Sequence, residues 1–325
     1  MILPYTRQRF SAKALILSFL LSPTLALSAQ ALADTATSPE RQLTIGVSVS
    51  DLGNPYFSRL VQGAERKAAE LTGGQAQVLL VSSAYDVQRQ TQQLDLFIQQ
   101  GVDMILLSAA AYDAFDAVIE RAQAAGIKVL AVDVRARGAD ATVTTDNLQA
   151  GHIACDHLAR QLQGSGEVVI LNGPPVSSII ERVQGCREAL QLFPDITLLS
   201  SDRNSGGSLE GGVEAMTHLL MAHPQIKGVF AINDPAALGA EMAGQLANRK
   251  DFMIVSVDGA PAAVERIRDP DALLRATATQ SPAQMAELAV EIGYQLLQGE
   301  QPDQTEHLLP ATLITSENAN QTDGW

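Results

Sequence analysis

Asparagines, aspartates and a glutamine recur in this sequence at one kind of place, directly after short runs of apolar, β-branched residues. The run LTIGVSVS (43–50) is followed by Asp51-Leu52-Gly53-Asn54-Pro55-Tyr56-Phe57, MILL (104–107) by Ser108, and KVLAV (128–132) by Asp133. Further along, the same place holds Asn172-Gly173-Pro174-Pro175, Asn233-Asp234-Pro235, Asp258-Gly259 and Gln280. Planar carboxylates and amides can take neighbouring hydroxyls two at a time, and the faces of Tyr56 and Phe57 can cover the C–H side of a ring. The set suits recognition of a polyhydroxylated molecule. In a closed site each lost hydrogen bond leaves a buried group unpaired, at ~1–3 kcal/mol. Taken one at a time, these residues read better as helix caps and turn formers. The ligand reading rests on seven such positions occurring together.

The elements that must position them alternate in type. Residues 43–50 read as a strand and 55–71 as a helix opened by Asn54 and Pro55. Strand 77–81, helix 86–100 stopped by Gly101, strand 104–107, helix 114–125 stopped by Gly126, and strand 128–132 complete one set. A second set runs through helix 148–162, strand 167–171, helix 178–192, strand 197–201, helix 209–222, strand 228–232, helix 236–247 and strand 252–257. The tail adds strand 273–279, helix 283–297 and the stretch 308–314, read as material crossing between lobes. Short βα units demand crossover connections, hence parallel sheets with helices on both faces. Two sets predict an α/β protein of two doubly wound, Rossmann-like lobes. In such sheets ligands bind outside the carboxyl ends of the strands, where the polar residues fall.

Composition narrows the setting. Arg7, Arg9 and Lys13 precede a mostly apolar stretch, 14–27, and Ala31-Leu32-Ala33 before Asp34 fits the small-x-small rule of a cleavable signal peptide. The apolar stretch falls short of the ~18 residues that span a bilayer. We therefore expect residues 1–33 to be removed and the mature chain to be periplasmic, without a lipid anchor, because no Cys stands near the cleavage point. The remaining 292 residues suffice for two domains, and their 19 basic against 36 acidic residues give a net charge of −17. So acidic a chain argues against nucleic acid and anionic membrane as partners.

Cys155 and Cys186 in an oxidising compartment form either a structural disulfide or two buried thiols. If helices 148–162 and 178–192 pack side by side, the two Cα atoms fall within the ~4.4–6.8 Å window for a bridge, and we expect one. His152, Cys155 and His157 do not share one helix face, so no metal is expected there. No cofactor is expected either. The chain has no G-x-S-x-G, no P-loop, no H-E-x-x-H and no G-x-G-x-x-G after a strand. Asp133 and Asp258 remain as a conceivable glycosidase pair, but a non-enzymatic binding protein is the preferred reading.

The fragments SDLGNPYF (50–57), TDN (145–147), INDPAALGA (232–240), VDGAP (257–261) and ATATQSP (276–282), in this order and spacing, resemble the ribose-binding family of periplasmic proteins over nearly all of residues 42–315. The resemblance implies the type I periplasmic binding fold, two lobes joined by a three-strand hinge with the ligand between them. It divides the chain into an N-terminal lobe, 42–145 plus 281–309, and a C-terminal lobe, 146–280 plus 310–325. It implies a ligand set of Asn54, Tyr56, Phe57, Ser108, Asp133, Asn233, Asp258 and Gln280. The implied partners are a small sugar-like ligand, an ABC permease with its ATPase in the inner membrane, and a chemoreceptor. Three positions depart from the family pattern. Val134 follows Asp133 where ribose binders carry arginine, their second pocket arginine falls on Ile180, and their second-lobe phenylalanine falls near Gly206 or Gly207, unless Arg135 or another side chain substitutes. A sensory binding protein presenting its ligand to a membrane receptor kinase would use the same fold and is the alternative. A sugar-dependent repressor is excluded by the signal peptide and by the lack of a helix-turn-helix before residue 42.

Overall fold

A computed structural model describes residues 42–325; the expected signal peptide lies outside the described residues. The chain enters at β1 (Leu43–Val49), buried at every residue but Thr44, as a parallel strand covered on both faces must be. Next comes α1 (Pro55–Thr72), which starts where the Asn54 side chain accepts from Tyr56 N and ends at the left-handed Gly73. β2 (Ala76–Ser82), α2 (Val87–Gln100), β3 (Met104–Leu107), α3 (Asp116–Ala124), β4 (Lys128–Val132) and β5 (Ala141–Thr145) follow.

The second series is α4 (Asn147–Gln161), β6 (Ser165–Asn172), α5 (Ser177–Leu190), β7 (Asp195–Asn204), α6 (Leu209–Ala222), β8 (Ile226–Ala231), α7 (Asp234–Leu246), β9 (Met253–Asp258), α8 (Pro261–Ile267) and β10 (Leu274–Thr279). The chain closes with α9 (Pro282–Leu297), β11 (Glu306–Leu309), β12 (Leu313–Thr315) and a 3₁₀ turn, Ala319–Gln321.

Two six-stranded sheets result, in the orders β11-β5-β4-β3-β1-β2 and β12-β10-β9-β8-β6-β7. All pairings are parallel except that of β12 with β10. The chain passes from one lobe to the other three times, between β5 and α4, between β10 and α9, and between β11 and β12. The stretch 308–314, expected to cross between lobes, does so through residues 310–312, with its two ends in short strands, one on an edge of each sheet. Strand β5 and helix α8 had no counterpart in the sequence reading. ATVTT lacks the unbroken apolar run of β3 and β4, and seven residues of PAAVERI are too few to establish a helical period.

One apolar cluster lies between the first sheet and α1 and α9, with Ile45, Leu60 and Met285 fully buried. A second fills the space under α6, α7 and α8 around Val229, Ala240 and Ile254. The third runs from α2 and α3, through Val134 and Ile179, to α4 and α5, and so joins the lobes. Helices α4 and α5 approach closely because of two glycines. A Cβ on Gly151 would sit 2.0 Å from Arg182 O, and one on Gly185 2.0 Å from Leu148 O. This contact carries the Cys155–Cys186 disulfide, with the Cα atoms 5.0 Å apart. Among the described residues, no helix is long and apolar enough to cross a membrane.

Candidate functional site

The carboxyl ends of the two sheets face each other, and a cavity of about 30 Å³ lies between them. Seven of the eight expected side chains, Asn54, Tyr56, Phe57, Asp133, Asn233, Asp258 and Gln280, line it. The eighth, Ser108, sits one layer back. Its hydroxyl is 3.3 Å from Asp133 Oδ2 and 3.4 Å from Ser50 Oγ, so it orients the aspartate instead of facing the cavity. Asn54 and Asn233 also cap helices. Asn54 Oδ1 accepts from Tyr56 N at 3.0 Å, and Asn233 Oδ1 accepts from Ala236 N at 3.1 Å. The capping and cavity-lining readings of these residues are therefore compatible.

Both aspartates sit on unusual backbone. Asp133 has φ +68° and Asp258 φ +143°, conformations that side-chain-bearing residues adopt at a cost of about 1–3 kcal/mol. The strain turns each carboxylate inward at the end of its strand, β4 or β9. Asp258 is held by Gln280, whose Nε2 donates to Oδ1 at 2.7 Å, while Gln280 Oε1 accepts from Thr145 Oγ1 at 2.9 Å. Gln280 and Thr145 stand at two of the three crossings, so this chain of bonds ties the hinge to the cavity. Tyr56 and Phe57 meet edge to face, centroids 5.2 Å apart, and the Tyr56 hydroxyl reaches Gln280 Oε1 at 3.5 Å.

Four polar or aromatic residues of the cavity were not in the expected set: Ser50, Tyr85, Ser178 and Arg182. Arg182 is the one cation there among the described residues, only 3% exposed. It donates to Asn147 Oδ1 and Ile232 O, each at 2.8 Å, and lies 3.4 Å from Asp258 Oδ1. The resemblance put the missing arginine on Ile180, which points outward and is 56% exposed. Helical spacing shows why position 182 was legible. Ile179, Arg182, Val183 and Cys186 follow the i, i+3, i+4, i+7 stripe that faces inward. Tyr85 stands after β2, outside the seven strand exits read from the sequence, on the left-handed pair Ala84 and Tyr85. Arg135 does not replace a pocket arginine. Its guanidinium pairs with Glu181 and with Glu306, and its backbone N donates to Ser177 Oγ at 2.7 Å, which pins the β4 exit to α5 of the other lobe.

The electrostatics follow from burial. Asp133 is raised above the ordinary carboxylate range by desolvation, opposed by Arg182. Asp258 is pushed up to about 6 by desolvation, again opposed by Arg182. Asp234 is pushed up to about 7 by desolvation and then by the charge of Asp258. It lies behind the cavity wall, where its carboxylate accepts from Ser256 Oγ, Thr277 Oγ1 and Ala260 N. Tyr56 and Tyr85 are held protonated by burial and by Asp133. The site thus presents carboxylates that accept hydrogen bonds, one engaged arginine, and aromatic walls.

Comparison with known proteins agrees with this architecture. Residues 45–301 match the profile of the periplasmic binding protein domain. The ribose import binding protein of Bacillus subtilis is 33% identical over 270 residues, covering 82% of this chain and 85% of its own. Among solved structures, an ABC transporter solute-binding protein from Mycobacterium smegmatis with bound glycerol superposes with a TM-score of 0.80 at 27% identity, covering 87% of this chain and 97% of its own. One from Actinobacillus succinogenes with bound D-allose gives 0.79 at 25% identity, covering 86% and 100%. With most of the described residues inside the profile and a third of the aligned residues shared with the Bacillus protein, this chain belongs to the periplasmic binding protein family.

Proposed function

We propose that the protein is the solute-binding component of an ABC importer, exported to the periplasm, where it captures a monosaccharide or related polyol between its lobes and presents it to the membrane permease. The observation that carries this reading is the meeting of Asp133 from one lobe with Asp258 from the other, beside Tyr56 and Phe57, in one buried cavity. Carboxylates suit hydroxyl donors, and the aromatic rings suit C–H faces. With Arg182 already engaged by Asp258 and Ile232 O, no free cation among the described residues meets an anionic group, so sugar phosphates and acidic sugars are poor ligands. The Bacillus relative's name speaks of import and the Mycobacterium structure's of an ABC transporter, which favours transport over the sensory alternative. The binding proteins among the relatives favour a binder over a glycosidase.

The cavity has room for about two or three water molecules, so a ligand of several carbons enters only after the lobes part. Closure then follows because the ligand meets both lobes in the closed state and one lobe in the open state, and that difference in contacts shifts the population. A thermal-shift screen of D-ribose, xylitol, D-allose, glycerol and ribose 5-phosphate tests the reading, since a ligand raises stability by RT ln(1 + [L]/Kd). The expected result is a shift with at least one neutral sugar or polyol and none with the phosphate. A shift with the phosphate alone would overturn the ligand class.

A further inference from the structure

The sequence contains one tryptophan, Trp325, and the fold brings it to the cleft from a segment that the ligand set does not include. The segment is rooted on the second lobe. Arg268, at the end of α8, donates to Ala319 O at 3.1 Å and to Thr322 O at 2.6 Å, and pairs with Asp323 at 2.9 Å. Gly324 then passes so near the Gly259–Pro261 backbone that a Cβ on it would lie 2.6 Å from Gly259 O, and its φ of +83° is one that favours glycine. Trp325 makes two contacts beyond this turn. Its indole Nε1 donates to Asp258 O at 2.8 Å, and its ring stands edge-on to Tyr56 of the first lobe at 6.0 Å, packed against that lobe's apolar cluster.

The two contacts have consequences for both strained and moving parts. Asp258 holds φ +143°, and its carbonyl oxygen receives Gln280 N at 2.8 Å as well as the indole. A conformation of this kind persists only where surrounding bonds over-determine it. The contact with Tyr56 crosses from one lobe to the other, so it exists in full only when the cleft is shut. We propose that Trp325 is a positioning residue of the ligand site: it fixes the Asp258 backbone and clasps the second lobe to Tyr56, so that closure and ligand affinity depend on it. The inference rests on the reading of the cleft as a ligand site.

The test compares wild type with Trp325→Ala, Trp325→Phe and Gly324→Ala, with Asp95→Ala on the exposed face of α2 as control. Calorimetric titration uses whichever sugar or polyol of the screen gives the largest thermal shift, with affinities taken per folded molecule. Trp325→Ala should weaken binding at least tenfold. Gly324→Ala should do nearly the same by displacing the indole, and Trp325→Phe should lose less, since the ring survives without its donor. A role in stability alone predicts lower melting temperatures with unchanged affinities, and that result overturns the clasp. Should no compound of the screen bind, the ligand reading fails and the clasp is decided without ligand by small-angle scattering. A larger radius of gyration for Trp325→Ala than for wild type upholds it, and equal radii overturn it.

Discussion

Asp258 combines strained backbone, near-complete burial and an arginine partner, and these make it the residue on which affinity should depend most. Replacing it with alanine removes an ionised acceptor worth ~1.5–3 kcal/mol, so we expect affinity to fall about tenfold to a hundredfold. Asp95→Ala, which breaks only an exposed pair with Arg121, should leave affinity unchanged in the same calorimetric titration. The raised Asp234 and Asp258 also give a pH dependence. Because their folded pKa values lie above the unfolded ones, the stability they contribute is fully present below the ordinary carboxylate range. It is lost as pH rises through about 6 to about 7. Ligand hydroxyls, by contrast, donate to the ionised carboxylate. Over that window the melting temperature of the free protein should fall while affinity climbs, and Asp258→Asn should flatten the climb. Parallel melting and titration series across the window check both trends; an affinity indifferent to pH would mean that Asp258 does not receive the ligand.

At the scale of elements, the pair α4 and α5 carries the most specific construction. Gly151 and Gly185 permit backbone contact, the disulfide locks the pair, and Arg182 projects from it into the cavity. Closing a loop with a sequence separation of 31 removes chain entropy from the unfolded state worth ~3–4 kcal/mol. Reduction, or a Cys155→Ala/Cys186→Ala double variant, should therefore lower the melting temperature by several degrees with little effect on affinity, provided Arg182 keeps its bonds to Asn147 and Ile232. Thiol alkylation of the unfolded, unreduced protein supplies the direct check, and two reactive thiols would refute the bridge. Most of these elements were legible from period and punctuation. Helix α6 has the bounds read from the sequence, and α2 begins after its Asp86 cap and stops at Gly101. β5 and α8 escaped, because the threonines of ATVTT break the apolar run that betrays β3 and β4, and seven residues of PAAVERI give too few turns for a helical period.

For the whole molecule, the central feature is that 42–325 pack with the two sheet ends facing each other and the cleft nearly shut. Arg135 contributes to this state through its ion pair with Glu181 across the lobes and its backbone bond to Ser177. The pair is partly exposed, so its worth is ~1 kcal/mol or less and falls with salt. Arg135→Ala should weaken affinity by no more than about fivefold, chiefly through faster release. The difference from wild type should shrink as ionic strength rises. Stopped-flow release at low and high salt measures it, and a loss independent of salt would assign Arg135 some other role.

The sequence by itself determined the alternation of strands and helices, the division into two parallel sheets, and the placing of polar side chains at strand ends, because these depend on local period and on neighbours along the chain. Seven of the eight residues that the family resemblance implied line the cavity. The tertiary structure alone decided which of them meet and in what role. That Ser108 supports Asp133 from behind, that Arg182 reaches Asp258, and that Arg135 serves the lobe contact all depend on how elements pack across 25 or more residues of separation, although the helical stripe of α5 already turns residue 182 and not residue 180 inward. Trp325 was the least legible. No local pattern connects it to Asp258 or Tyr56, 67 and 269 positions away, and only the folding of the last segment against the Gly259 turn brings them together.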